Sequence, residues 1–428
     1  MRRVPVVSAL AVSALAVGLV LALAAPMAAQ ADQIRSMEYW LGDYGIQQAW
    51  ATTQGAGVKV AVIDTGVDGN IPDLAGAVVG GTDESGIGTA TGETPVGAGD
   101  ESGHATWVAS LIAGRGTGGS NGLIGVAPQA SILSVSVALG SSSAAANDDT
   151  QIAQGIRWAV DHGASVINLS LTRNTLSWPA SWDSAFEYAF DHNVVIVAAA
   201  GNRGSGTTEV DAPATIPGVL AVGGVNRDGT ESAEASSQGI TIAVAAPSEQ
   251  LLGADPGGGY VGWEGTSGAA PIVAGIVALV RAAHPDLDAA NVINRVIRTA
   301  RAVGASPNPL YGYGLVDASG AVNATVAPVK ANPLGSLKGW ITMHRRAKPP
   351  AAAPAGTKPD SGVNAARRVA PKPLAPLAAP YFDAVVNPPW TTLTTIGIPV
   401  MLLAGFGALV ALGAVAARQH FRRGTPKG

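Results

Sequence analysis

The sequence predicts an α/β fold, a doubly wound and mostly parallel β-sheet with helices on both faces, and three observations carry that prediction. Short apolar, β-branched runs alternate with longer stretches of helical spacing. The runs are continuously apolar, as in strands covered on both sides. Two stretches, "IRWAVDHGASVINLS" and "FEYAFDHNVVIVAAA", echo each other as helix, Asp-His turn and strand, which reads as successive βαβ units rather than a repeat array.

Taken in order, "VKVAVID" (58–64), "ASILSVSV" (130–137), "SVINLSL" (165–171), "NVVIVAAA" (193–200) and "GVLAVGGV" (218–225) read as strands. Between them "HATWVASLIAG", "DTQIAQGIRWAVDHG" and "WDSAFEYAFDHN" have helical spacing, and "WEGTSGAAPIVAGIVALVRAAHP" (263–285) reads as a buried helix rich in small residues.

The two ends differ from this middle. Residues 1–31 carry Arg2 and Arg3, an apolar stretch and small residues ending Ala29-Gln30-Ala31, the pattern of a secretory signal cleaved after Ala31. Residues 391–417 contain an uncharged apolar run from Ile396 to Ala417, roughly 33 Å as a helix and enough to span a bilayer. Arg418, Arg422, Arg423 and Lys427 follow it, so residues 418–428 are expected as a basic cytoplasmic tail and everything from 32 to about 390 outside the cell. Between core and span, residues 326–390 turn to Pro, Ala and basic residues and read as a linker stiffened by proline. One globular domain, 32–325, is left, and its first residues up to about 58 are expected to form a short extension packed on it.

Composition excludes several functions. Cys is absent, which rules out disulfides, thiol catalysis and cysteine-ligated metals. Residues 32–325 hold 28 acids against 11 bases, about 17 net negative charges, a field that repels nucleic acid. The basic stretch beside the span suits a membrane surface or a solvated linker.

Ligands of such sheets bind at the carboxyl ends of the strands. There Asp64 opens an Asp-Thr-Gly turn. A second triplet, Asp360-Ser361-Gly362, lies in the proline-rich linker with no strand before it, so no scaffold joins the two carboxylates as a paired-acid site. Of the six histidines, His162 and His192 sit at equivalent helix ends and read as structural. His284 also ends a helix, His344 is in the linker and His420 in the tail, which leaves His104 at a helix start. Ser267 stands at the head of the small-residue helix. A serine hydroxyl needs a base to take its proton, and the base needs a third group to hold its tautomer; Asp64, His104 and Ser267 supply those types. Asn202 ends the strand "VAAAGN", where its amide can donate to a developing oxyanion.

These blocks, "VAVIDTGVD", "GHATWVASLIAG", "VINLSL", "VAAAGN" and "GTSGAAPIVAG", resemble in order the signatures of subtilisin-like serine proteases. The resemblance implies Asp64, His104 and Ser267 as charge-relay residues and Asn202 as oxyanion donor. It also implies a substrate chain beside Ser170, Leu171 and Thr172, with Ala199, Ala200 and Gly201 walling the pocket for the residue before the cut. Polypeptide is the implied substrate and no cofactor is required; structural calcium, common in the family, comes with no ligand set in this chain. The layout of signal, domain, linker, span and tail is similar to the mycosins, membrane-anchored subtilases that accompany type VII secretion, which implies secretion-system components as partners. Four positions depart from the family pattern: Ala105 and Trp107 in the His104 block, Thr172 for a Gly, and Gly268 for the Met or aromatic that usually follows the nucleophile.

Overall fold

The computed structural model describes residues 34–97, 102–118 and 121–345. The expected signal 1–31, most of the linker, the span 391–417 and the tail 418–428 lie outside the described residues.

Seven parallel strands form the sheet: β1 (Lys59–Asp64), β2 (Val78–Asp83), β3 (Ser131–Ser136), β4 (Val166–Leu169), β5 (Val195–Ala199), β6 (Leu220–Val225) and β7 (Ile242–Pro247), in the order β2-β3-β1-β4-β5-β6-β7. The register sets Ile63 beside Val135 and Val62 beside Asn168. A separate antiparallel hairpin joins β8 (Leu251–Ala254) to β9 (Tyr260–Trp263). The five strands expected from sequence are present. The others went unread for local reasons: β2 is an edge strand containing Gly80 and Gly81, and β7 is an alanine-rich run ending in proline.

The helices are α1 (Tyr39–Asp43), α2 (Ile46–Ala49), α3 (His104–Ala113), α4 (Asp148–Asp161), α5 (Ala180–Asp191), α6 (Thr266–Ala283), α7 (Ala289–Thr299), α8 (Ala318–Asn323) and α9 (Leu337–His344). The echo between α4 and α5 has a conformational cause. Both end in the same motif, with Gly163 and Asn193 in the left-handed region and the amides of Ala164 and Val194 donating back to Ala159 and Ala189 carbonyls. His162 Nδ1 and His192 Nδ1 each bond the carbonyl four residues earlier, of Trp158 at 2.7 Å and Tyr188 at 2.8 Å, so both are structural as expected.

Alternate residues of a strand point to opposite faces, and each face has its own helical cover. On one, Ile152, Ile156, Trp182 and Phe186 of α4 and α5 pack with Ile63, Leu169 and Ile196. The other receives α6, which packs against β4 to β7 and against α3. Helix α6 is apolar and long enough to cross a membrane by length and composition alone, but it is almost entirely buried and serves as the central core helix.

The amino-terminal extension is packed as expected. Trp40 and Ile46 are fully buried, Tyr39 Oη donates to Glu249 O at 2.8 Å, and Glu38 accepts from Ile124 N at 2.7 Å. At the other end the fold runs further than 325. Asn291 and Asn294 bond the backbone of Val329 and Ala327, and Asn332 donates to Gly218 O. Helix α9 then lies against α5, with Trp340 on Trp178 at 4.4 Å and Arg345 paired with Asp183 at 3.0 Å. The first twenty residues assigned to the linker are therefore a strap on the domain. Its composition is that of a linker because asparagine side chains, rather than an apolar stripe, hold its first half.

Ending the chain at 325 instead of 345 uncovers Trp178 and the site of the buried Leu337, worth about 2–4 kcal/mol together. Calorimetry should therefore show the shorter chain unfolding about 5 °C or more below the longer one.

Candidate active site

The chain leaves β1 toward one edge of the sheet and β4 toward the other, which opens a crevice at their carboxyl ends. Asp64 is the last residue of β1, Ser170 follows β4, and Ala200, Gly201 and Asn202 follow β5. Ser267 is the second residue of α6. Topology thus gathers at one place residues that are far apart in the chain.

His104 opens α3, and two neighbouring residues of β1's turn hold it there. Its Nδ1 lies 2.9 and 2.8 Å from Asp64 Oδ1 and Oδ2. A carboxylate only accepts, so Nδ1 carries the proton and Nε2 is left as the basic nitrogen. Thr65 supplies the helix cap that Gly103 cannot: its Oγ1 accepts from Ala105 N at 3.2 Å, while Thr65 N donates to Asp64 Oδ1 at 2.7 Å. Asp64 and His104 are 1% and 2% exposed, so their pairing is little screened by water. Trp107 and Trp263 stand edge-on to the imidazole, with centroids 6.1 and 5.6 Å away.

Ser267 is buried, and in this resting arrangement its hydroxyl donates to Ser170 O at 3.2 Å rather than to His104. Ser170 Oγ returns a bond to Ser267 O at 2.8 Å and accepts from Asn168 Nδ2 at 2.9 Å. The turn that carries Ser267 is thereby tied to the end of β4.

Asn202 is 2% exposed, and its orientation is unambiguous. Thr266 N donates to its Oδ1 at 2.8 Å, which requires the oxygen on that side and leaves the Nδ2 amide facing away. Thr266 Oγ1 also lies 3.0 Å from Asn202 Oδ1 and accepts from Gly201 N at 3.0 Å. The Ser267 amide is among those a helix start leaves without an intrahelical partner, so two donors of different kind occupy one neighbourhood.

The residues expected as pocket walls, Ser170, Leu171, Thr172, Ala199, Ala200 and Gly201, are all buried at the carboxyl ends of β4 and β5. Asp360, the alternative acid, lies outside the described residues. Among the described residues, no three His, Asp or Glu side chains converge as metal ligands. The buried acids Glu38 and Asp73 spend their oxygens on Ile124 N, Leu123 N, Arg35 and Tyr260, which does not suit a cation.

Two of the departures from the family pattern have one explanation. A Cβ on Gly268 would come within 2.2 Å of Leu251 Cδ1, and the Trp263 ring lies 3.4 Å from the same point. The β8–β9 hairpin fills the space a larger side chain would take. Trp107 packs over Gly253 of that hairpin and donates from Nε1 to Asp255 Oδ1 at 3.1 Å. Thr65, Thr266, Leu251 and Trp263 are positioning residues that sequence reasoning did not single out. For Thr65 and Thr266 a signal existed, since each adjoins a candidate residue; for the hairpin pair there was none.

A parallel α/β sheet that brings a buried carboxylate–imidazole pair, a helix-start serine and an oriented asparagine amide to its carboxyl edge defines a serine protease of subtilisin-like architecture. The chain belongs to the subtilase family, whose pattern matches residues 55–314. It is 37% identical over 277 residues to thermitase of Thermoactinomyces vulgaris, covering 65% of this chain and 90% of that one. With subtilisin E of Bacillus subtilis (strain 168) it shares 38% over 286 residues, 65% of this chain and 70% of that one. Among solved structures, MycP1 with its N-terminal propeptide removed superposes with a TM-score of 0.57 at 30% identity, covering 68% of this chain and 98% of that chain. The MycP3 protease from the type VII (ESX-3) secretion system gives 0.54 at 31%, covering 67% and 88%.

Restoring the family's Met at 268 overpacks this corner and costs about 1–3 kcal/mol. Gly268→Met should lower Tm by about 5 °C, and adding Leu251→Ala should recover part of the loss; an unchanged Tm in the single variant contradicts the packing account.

Proposed function

We propose that this chain is a membrane-anchored extracellular serine endopeptidase working through Asp64, His104 and Ser267, with Asn202 as oxyanion donor. The observation that carries the reading is the His104 Nδ1 contact with both oxygens of Asp64, which leaves Nε2 free to act as base beside a helix-start serine. In the first step the Ser267 hydroxyl turns from Ser170 O to His104 and attacks the scissile carbonyl as Nε2 takes its proton. Asp64 stabilises the imidazolium without becoming protonated. Asn202 Nδ2 and the Ser267 amide then receive the negative charge of the tetrahedral intermediate. His104 returns the proton to the leaving amine, and water repeats the sequence on the acyl-enzyme. The substrate backbone lies beside Ser170, Leu171 and Thr172, with Ala199, Ala200 and Gly201 around the side chain before the cut. Groups of the chain itself, with water, carry every step, so the mechanism calls on no cofactor.

Anchoring rests on the apolar run 396–417, and export on residues 1–31. Similarity to MycP1 and MycP3 motivates a place beside type VII secretion components. The same similarity supports a second reading, in which the protease fold mainly scaffolds an envelope secretion complex. Normal secretion by a Ser267→Ala strain, with secretion lost on deletion of the gene, favours the scaffold; loss in both favours proteolysis.

A fluorophosphonate probe should label the folded chain at Ser267, and Ser267→Ala should abolish labelling and peptide hydrolysis without altering Tm. A folded wild-type chain that neither labels nor cleaves sinks the peptidase mechanism.

Asn202→Ala should leave KM nearly unchanged and lower kcat by on the order of 10²- to 10³-fold, the range known for the corresponding donor in subtilisin. A kcat within a few fold of wild type would remove Asn202 from the oxyanion site.

A further inference from the structure

One buried acid outside this mechanism keeps an oxygen without a hydrogen-bond partner. Asp211 lies on the segment that joins the two walls of the pocket: Asp211 N donates to Ala200 O at 3.3 Å, and Arg173 N donates to Ala212 O at 2.9 Å. The backbone at 211–212 is therefore hydrogen-bonded to both segments, at Ala200 and at Arg173. Asp211 as a residue is 5% exposed, and its Oδ2 is buried with no hydrogen-bond partner. Thr172 Oγ1, on the adjoining segment, is likewise buried and without a partner.

The surrounding charges do not compensate Asp211. The Arg173 guanidinium is committed to Asp149 and lies over the Trp182 ring, 5.3 Å from its centroid. The charged neighbour that acts on Asp211 is Glu209, another acid and an exposed one. Burial first, and Glu209 second, push the Asp211 carboxyl up to about 6. A carboxylate without counter-charge in a closed pocket carries an uncompensated desolvation cost, and a bound cation is what removes it.

We propose that Asp211 is the specificity-determining residue at the base of this pocket, and that the enzyme prefers Lys or Arg immediately before the scissile bond. This rests on the reading of the pocket under the proposed function and deepens it. An ammonium or guanidinium brings both the missing charge and N–H donors for the Asp211 carboxylate. An aliphatic side chain of similar length fills the space and leaves the acid unpaired. The preference holds above about pH 6, where Asp211 is ionised, and fades below it.

The folding linkage runs in the opposite sense. A carboxyl raised from 3.8 to about 6 contributes stability that is intact below 3.8 and lost as pH rises through 6. Asp211→Asn should therefore match wild type near pH 3.5 and melt higher at pH 8, which checks separately that the variant folds.

The test uses the full chain with the coumarylamides of Ala-Ala-Pro-Lys and Ala-Ala-Pro-Leu. Dividing the two kcat/KM values at each pH cancels the titration of the catalytic base. Wild type should favour Lys by on the order of 10- to 100-fold at pH 8, with the ratio collapsing toward pH 5; Asp211→Asn should remove the preference at pH 8 by slowing only the Lys substrate. A wild type that prefers Leu, or a ratio unchanged in the variant, overturns the proposal. Fluorophosphonate labelling with turnover of neither peptide overturns it while leaving the peptidase reading intact, and absence of labelling removes both.

Discussion

Thr266 holds the helix that carries Ser267 to the strand end that carries Asn202, through its amide on Asn202 Oδ1 at 2.8 Å and its hydroxyl under Gly201 N at 3.0 Å. Everything at the site is registered against that joint. It fixes the flip of the asparagine amide, seats the first turn of α6 beside the end of β5, and keeps the nucleophile level with the pocket wall. Because α6 is buried almost throughout and packs on β4 to β7, the joint inherits the rigidity of the core. A catalytic constellation needs placement to within about half an ångström, and a fully packed helix against a parallel sheet supplies it. The second joint, Asp64 and Thr65 on the first turn of α3, does the same for the imidazole from the other side of the crevice.

The hairpin β8–β9 shows how a family pattern is rewritten without loss of fit. Leu251 and Trp263 occupy the volume beside Gly268, while Trp107 spans from His104 to Gly253 and Asp255. Trp107 and Gly268, which look like unrelated departures along the chain, are one packing solution in space. The imidazole consequently sits between two indole edges, in a dry environment where its contact with Asp64 counts for more than it would in water.

The ends of the domain are fastened with different chemistry. The amino-terminal extension buries Trp40 and Ile46 like any core segment, whereas Arg295 holds the end of α8 by donating to the carbonyls of Ala321, Val322 and Ala324, and asparagine side chains hold the strap that follows. Hydrogen bonds to backbone leave no periodic apolar signature, so the strap resembles the linker that follows it until α9 adds Leu337 and Trp340.

By itself the sequence determined the parallel α/β class, five of the seven sheet strands, the two βα units with matching His-ended helices, and Asp64, His104, Asn202 and Ser267 as candidates. These are legible because strand runs, helix periods and turn residues are properties of neighbours along the chain, and because chemistry at strand ends and helix starts follows from the sheet's winding. Tertiary structure alone decided that His104 Nδ1 meets both oxygens of Asp64, that Ser267 rests on Ser170, that Thr266 orients Asn202, that Leu251 explains Gly268, and that Asp211 Oδ2 is buried without a partner. Each of these is a contact between segments tens to hundreds of residues apart. The packing energies that select such contacts depend on shape and burial in three dimensions, which no local pattern encodes.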